Sequence, residues 1–245
     1  MRIAALYDIH GNLPALEAVF SELERAAPDL VVLGGDIASG PLPRETLDLV
    51  TTLGDRLRAL RGNADRVLVE HGDGGSGDDR HMSLWAARRV TPEQRDFLAG
   101  LPPILTLEVT RLGPTLFCHG SPRSDDEVLI ESTSEGRLRE ALAGVTEPLV
   151  ISGHTHMQYD RLAAGTRIVN PGSVGMPYGE AGAHWALLGP QVELRRAPYD
   201  LVAAAERIRA SGWPGAEEFA RENVLATPSR AEALAYFEGL AASSS

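Results

Sequence analysis

A single cysteine in 245 residues, Cys118, excludes an internal disulfide and a thiolate metal cage. It points to a reducing compartment. Long apolar runs are missing too: nothing approaches the roughly 20 residues that a membrane-spanning helix needs, which excludes a chain that crosses a membrane as a helix. Residues 2–7 are apolar but too few for a signal peptide, and they run directly into Asp8 and His10. The expected setting is therefore cytoplasmic, with no membrane partner. Positive charge is scarce: 23 basic residues stand against 34 acidic ones, a formal net charge of -11. That balance repels polyanions and argues against bulk nucleic-acid binding through a broad basic face. A local site for phosphate stays open, because two divalent cations would place four positive charges in one cleft. Internal repeats are absent, and the one biased stretch is a glycine-rich loop at 72–79.

What is present is an ordinary globular composition, 43% hydrophobic and 23% charged, on a chain long enough for one sizeable core. One domain is expected over 1–240, helical from about 200, with a disordered tail at 241–245. Short runs rich in Val, Ile and Leu alternate with helical patterns: strand 2–7, helix 13–26, strand 30–33, helix 43–53, strand 56–60 and helix 65–71. This order predicts an α/β fold. Helices follow at 83–88 and 91–101, the second opened by Thr91-Pro92-Glu93 in the manner of a capped first turn. Strands at 104–109 and 115–118, joined by a turn at 112–114, then bring in antiparallel pairing. After a helix at 134–143 come strands at 149–152, 159–162, 167–169, 184–188 and 192–196. Two packed sheets are the expected result, followed by helix over 201–240 with a break at 211–215.

Five of these strands run into residues of metal-ligand type: Asp8 and His10, Asp36, Asn63, His119, and His154 and His156. In open α/β sheets ligands gather outside the carboxyl ends of strands, so the five ends can converge on one cleft. Asp8 and His10 are two apart, as are His154 and His156, and in extended backbone such pairs face one side. Glycine flanks almost every candidate, as if the chain had to turn sharply or approach a substrate closely. Carboxylate, amide oxygen and imidazole without thiolate suit Mn, Fe, Zn or related ions, and calcium poorly. Seven ligands exceed what one catalytic ion can use and suit two that share a carboxylate. Singly, each motif has a plainer meaning: a solvated Asp, a glycine turn, a packed Cys118, a structural His pair. Five together, at successive strand ends, favour the functional reading.

At these residues the chain resembles the calcineurin-like metallophosphoesterase superfamily, whose ordered signature is Asp-x-His, Gly-Asp, Gly-Asn, Gly-His or a relative, and Gly-His-x-His. The compact prokaryotic branch of small phosphodiesterases, related to diadenosine tetraphosphatases, is the nearest match over residues 1–196. Its likeness extends to Gly11-Asn12, Gly120-Ser121-Pro122 and the run 170–175. The resemblance implies a four-layer αββα sandwich with two mixed β-sheets. It implies two divalent ions, Mn first, with Fe, Zn, Ni or Mg as the other fits. Asp8, His10, Asp36 and His156 would hold one ion, and Asp36, Asn63, His119 and His154 the other, Asp36 bridging. The implied activity is hydrolysis of a small phosphoester or nucleotide by activated water, with Asp36, Asn63 and His154 as its catalytic residues. Asn12, Asn63 and Arg123 are candidate phosphate contacts, a solvated charge being the plainer reading of Arg123. Where many relatives carry a histidine after Gly-Asn, this chain has Ala64, which cannot transfer a proton; good leaving groups are expected unless His71 or His81 supplies the acid. The alternative is a noncatalytic metal-binding interaction protein on the same fold.

Overall fold

Strand β1 (Ile3–Leu6) is buried at all four positions. Successive side chains of a strand point to opposite faces, so a strand that is apolar throughout has to be covered on both. That is what happens here. Ile3, Ala5 and the following Tyr7 pack with Val32, Phe117, Ile151, Val169 and Ala186, whereas Ala4 and Leu6 pack with Leu16, Val19, Val31 and Leu33. The first group is the interior between two sheets, and the second lies beneath the helices of one outer face.

The structure is a computed structural model that describes residues 1–72 and 77–243. After β1 come α1 (Leu13–Ala26), β2 (Leu30–Leu33), α2 (Pro43–Thr51), β3 (Leu57–Ala59), α3 (Asn63–Gly72), α4 (Met82–Ala87) and α5 (Pro92–Ala99). Next are β4 (Ile104–Val109), β5 (Gly113–Cys118), α6 (Glu135–Ala141), β6 (Leu149–Ile151), β7 (Tyr159–Ala163) and β8 (Thr166–Asn170). The chain finishes with β9 (Ala183–Leu188), β10 (Val192–Ala197), α7 (Leu201–Arg209), α8 (Ala216–Phe219), a π-helical turn (Ala220–Leu225) and α9 (Arg230–Ser243). One sheet has the order β10-β9-β1-β2-β3 and the other β4-β5-β6-β8-β7. Both are mixed: β1, β2 and β3 are parallel, as are β5, β6 and β8, with antiparallel strands at the flanks. Helices α1 and α2 cover the first sheet and α6 the second, completing the four-layer αββα sandwich that the resemblance implies.

Three local expectations need correction. The β4–β5 turn lies at 110–112, where Arg111 takes a left-handed φ of 64°, and Gly113 and Pro114 already pair with Val109 and Glu108. Proline is tolerated there because β5 meets β6 only from Thr115 onward, so no ladder bond is lost. The helical carboxyl-terminal part breaks a second time at 226–229, around Pro228. And α9 continues to Ser243, so of the expected tail only 244–245 remains, outside the described residues. Of the expected loop at 72–79, residues 73–76 also lie outside them.

Candidate metal centre

Five of the six parallel strands, β1, β2, β3, β5 and β6, deliver a candidate at the carboxyl end. The delivery is not by extended backbone. Asp8, His10, Asp36, His154 and His156 all take positive φ, between 48° and 65°, a region that costs a non-glycine residue free energy and that clusters at functional sites. These left-handed residues turn the chain back on itself just past β1, β2 and β6, and backbone bonds lock the turns after β1 and β2 together. Asp8 N–H donates to Gly35 O at 3.2 Å, and His10 N–H to Asp36 O at 2.9 Å. The glycines serve this packing rather than substrate access. A Cβ on Gly62 would lie 2.2 Å from Asp36 Oδ1, and one on Gly153 would lie 2.3 Å from the Tyr7 ring.

Six of the seven expected ligands are joined by short contacts, and the seventh, His154, lies beside them. His10 Nε2 lies 3.2 Å from His156 Nε2 and 3.6 Å from Asp36 Oδ2. His119 Nε2 lies 2.9 Å from Asn63 Oδ1, 3.3 Å from Asp36 Oδ2 and 3.8 Å from Asp8 Oδ1. His156 Nε2 is 3.3 Å from Asp8 Oδ1, and the half-buried His154 ring stacks edge-on to His119 with centroids 5.3 Å apart. Two sets, Asp8 with His10 and His156, and Asp8 with Asp36 and His119, offer ligand atoms that all lie within 4.8 Å of one another. Asp8 is common to both sets, and Asp36 Oδ2 faces a histidine of each.

The surroundings prepare these groups for a cation. His10, His119 and His156 each place Nδ1 against a backbone carbonyl, of Ser39, Gly34 and Met176, at 3.2, 2.8 and 2.9 Å. A carbonyl can only accept, so each Nδ1 carries a proton, and a ring that gives up its other proton to a cation turns Nε2 inward as an acceptor, the arrangement of metal-ligating histidines. Asp8 Oδ1 is buried with no hydrogen-bond partner among the described residues. Burial alone would raise Asp8 and Asp36, but His156 and His119 beside Asp8, and His119 and His10 beside Asp36, hold both carboxyls below the usual range. Against the pull of burial, Asp36 and Asp8 lift His119 to about 10. His154 is held down to about 4 by burial and by the charge of His119.

Sequence reasoning missed the supports. Asp65 is fully buried and accepts from the backbone N–H groups of Asp36, Ile37 and Gly62 at 2.7, 2.9 and 3.0 Å. Its bond to Gly62 is the acidic half of a capping box, a signal present in Gly62-Asn63-Ala64-Asp65. Burial, then the charge of Asp36, pushes Asp65 up to about 7. Ser173 Oγ donates to Asp8 O at 2.7 Å, so the run 170–175 props up the first ligand turn.

Two candidate substrate contacts are not where they were expected. Asn12 is fully buried; its Oδ1 caps α1 by accepting from Ala15 N–H, and its Nδ2 donates to Gly175 O. One of its two amide N–H groups is thereby committed to the fold. Arg123 forms a bidentate pair with Glu127 and lines a cavity of ≈ 740 Å³ that contains none of the ligand set. The glutamate four residues on satisfies it. His71 and His81 pack edge-on to each other, centroids 5.6 Å apart.

Residues 1–191 match the family described as the calcineurin-like phosphoesterase superfamily domain. An uncharacterized protein of Methanocaldococcus jannaschii is 26% identical over 244 residues, which span 89% of this chain and 97% of that one. The crystal structure of a metallophosphoesterase from Sphaerobacter thermophilus is similar with a TM-score of 0.74 and 28% identity, covering 92% of this chain and 98% of that one. A hypothetical protein from Pyrococcus horikoshii shares the fold with a TM-score of 0.77 at 22% identity, over 90% and 96% of the two chains.

Proposed function

Because this chain belongs to the calcineurin-like phosphoesterase superfamily, we propose that it hydrolyses phosphomonoesters, phosphodiesters or nucleotide phosphoanhydrides with two divalent ions, manganese foremost. One observation carries this reading. His10 and His156 face each other through Nε2 at 3.2 Å while both Nδ1 atoms are engaged by carbonyls, so in the neutral rings two lone pairs meet with no proton between them. A cation resolves that conflict, whether a metal ion or a proton on His156, which Asp8 favours against burial; Asp8 Oδ1, 3.3 Å from His156 Nε2, supplies negative charge to hold either.

In this assignment Asp8, His10, Asp36 and His156 would hold one ion, and Asp36, Asn63, His119 and His154 the other, with Asp36 contributing to both. When bound, such a pair supplies Lewis acidity that offsets phosphoryl charge and makes water more acidic. Asn63 keeps its Oδ1 with the ligand set and has its amide N–H groups to donate to a phosphoryl oxygen. His154, held down to about 4, is neutral at neutral pH and offers a basic nitrogen rather than a proton. Ala64 has none to give, so aryl esters and anhydrides, whose leaving groups need no acid, are the favoured substrates. A cytoplasmic setting is part of this reading, in keeping with Cys118, buried and unpaired; no described helix is long and apolar enough to cross a membrane.

The test is turnover by the full chain loaded with Mn²⁺, on 4-nitrophenyl phosphate, its bis-aryl diester and a dinucleoside polyphosphate. At least one is expected to be cleaved, with Asp36→Asn and His156→Ala each lowering kcat/KM by about 100-fold or more. A protein that keeps its metal and cleaves none of the three sinks the enzyme reading and leaves a metal-holding interaction protein.

A further inference from the structure

Helix α9 lies outside residues 1–191, which carry the family match, yet it packs on the loop that carries His156. Met157, the next residue, is buried in one cluster with Ile130, Ala233 and Phe237. Ala233 and Phe237 are four apart, so one face of α9 supplies both. Tyr178 packs against the same cluster. Its ring meets Phe237 edge-on, centroids 6.0 Å apart, and also meets the His156 ring, 5.8 Å away and tilted by 31°. Polar contacts seat the helix on these loops. Arg230 pairs with Glu131 and donates to Gln158 O at 3.0 Å, while Gly179 N–H, next to Tyr178, donates to Pro228 O at 2.9 Å.

His156 has particular need of such support. Its backbone is left-handed, with a φ of 56°, and its ring is anchored to the fold by Nδ1, which lies 2.9 Å from Met176 O. One hydrogen bond fixes the place of one ring atom but not the plane of the ring, and the torsion that turns a histidine ring has broad wells. The Nε2 lone pair lies in that plane, so its aim at a cation follows the ring's rotation. A neighbouring aromatic ring limits the rotation by contact. Tyr178 supplies that contact, and Phe237 in turn limits Tyr178.

Resting on the two-ion phosphoesterase reading, we infer that Tyr178 and Phe237 are positioning residues for the ion that Asp8, His10, Asp36 and His156 would hold. The carboxyl-terminal helix, acting through the Tyr178 ring and Met157, sets the plane of the His156 ring. A ligand is held in place by the groups packed behind it as much as by its own bonds, and loss of such partners weakens metal binding.

The test is calorimetric titration of the full chain with Mn²⁺, in which two binding steps are expected and His156→Ala marks the step that belongs to this ion. Tyr178→Ala and Phe237→Ala should each weaken that same step by about tenfold or more and leave the other unchanged. Tyr178→Phe, which keeps the ring, should preserve both. Leu53→Ala, a core change just before β3 and so at the opposite end of its sheet, should lower the melting temperature without weakening either step. Should Phe237→Ala fail to fold, Tyr178→Ala decides. An unweakened step in Tyr178→Ala, or a loss that Tyr178→Phe or Leu53→Ala shares, overturns the inference. An unsubstituted chain without two Mn²⁺ steps fails the two-ion reading instead.

Discussion

His184 shows how burial, with the charge of Arg196 behind it and against the pull of Glu180, sets the behaviour of one residue. Its ring is 5% exposed, its Nδ1 has no hydrogen-bond partner among the described residues, and burial holds it below the ordinary value of 6.5. A histidine depressed in the folded state binds its proton more readily when unfolded. Stability therefore rises with pH up to about 6.5 and is lost progressively as pH falls below it. Replacing His184 by Gln should flatten that acid limb, measured by denaturant unfolding of the metal-free chain between pH 5 and pH 8, in ~ half-unit steps. An unchanged slope would show that His184 carries no such linkage. Arg123 teaches the converse at this scale: a basic side chain near a ligand motif is no phosphate contact once a glutamate four residues away has taken its fork.

Between elements, Asp65 joins the end of β2 to the start of α3, because one carboxylate receives N–H groups from both. Asp65→Asn would set an amide N–H against a backbone N–H and leave a buried donor unsatisfied, at a cost of about 1–3 kcal/mol. The loop carrying Asp36 and Asn63 should loosen, and Mn²⁺ affinity should fall by about tenfold or more in a metal titration. Undiminished affinity would make Asp65 a purely structural cap. Much at this scale was legible in the chain. The all-apolar run of β1, the cap at Thr91 and the polar residues past five strands follow from local chemistry, whereas Asn12, a cap in the fold, reads as a phosphate contact in the sequence. The left-handed turns at Asp8, His10, Asp36, His154 and His156 were not legible, because tertiary hydrogen bonds impose them on residues that disfavour them. The π-helical turn was hidden for the same reason: its Ala220 and Val224 pack in one cluster with Trp85 and Met176; the second break, by contrast, carries its own signal in Pro228.

Over the whole molecule, two sheets contribute to one centre: Asp8, Asp36 and Asn63 follow strands of the first, His119, His154 and His156 strands of the second. Every one of the 23 basic residues is arginine, and bidentate or clustered pairs such as Arg66 with Asp125 and Asp126, Arg207 with Glu17 and Arg230 with Glu131 link segments far apart in sequence. Exposed pairs of this kind contribute little each, so the ligand set is the stronger tie between the sheets at the site's end. An ion that binds only the folded arrangement stabilises it by mass action. Chelation should therefore lower the melting temperature, and Mn²⁺ should restore it. The central claim is tested most directly by elemental analysis of the Mn²⁺-loaded chain after gel filtration, beside Asp36→Asn. The account predicts about two ions per chain, with a clear loss in the variant. A chain that holds no stoichiometric metal, or an Asp36→Asn protein that holds as much as the unsubstituted one, would contradict it.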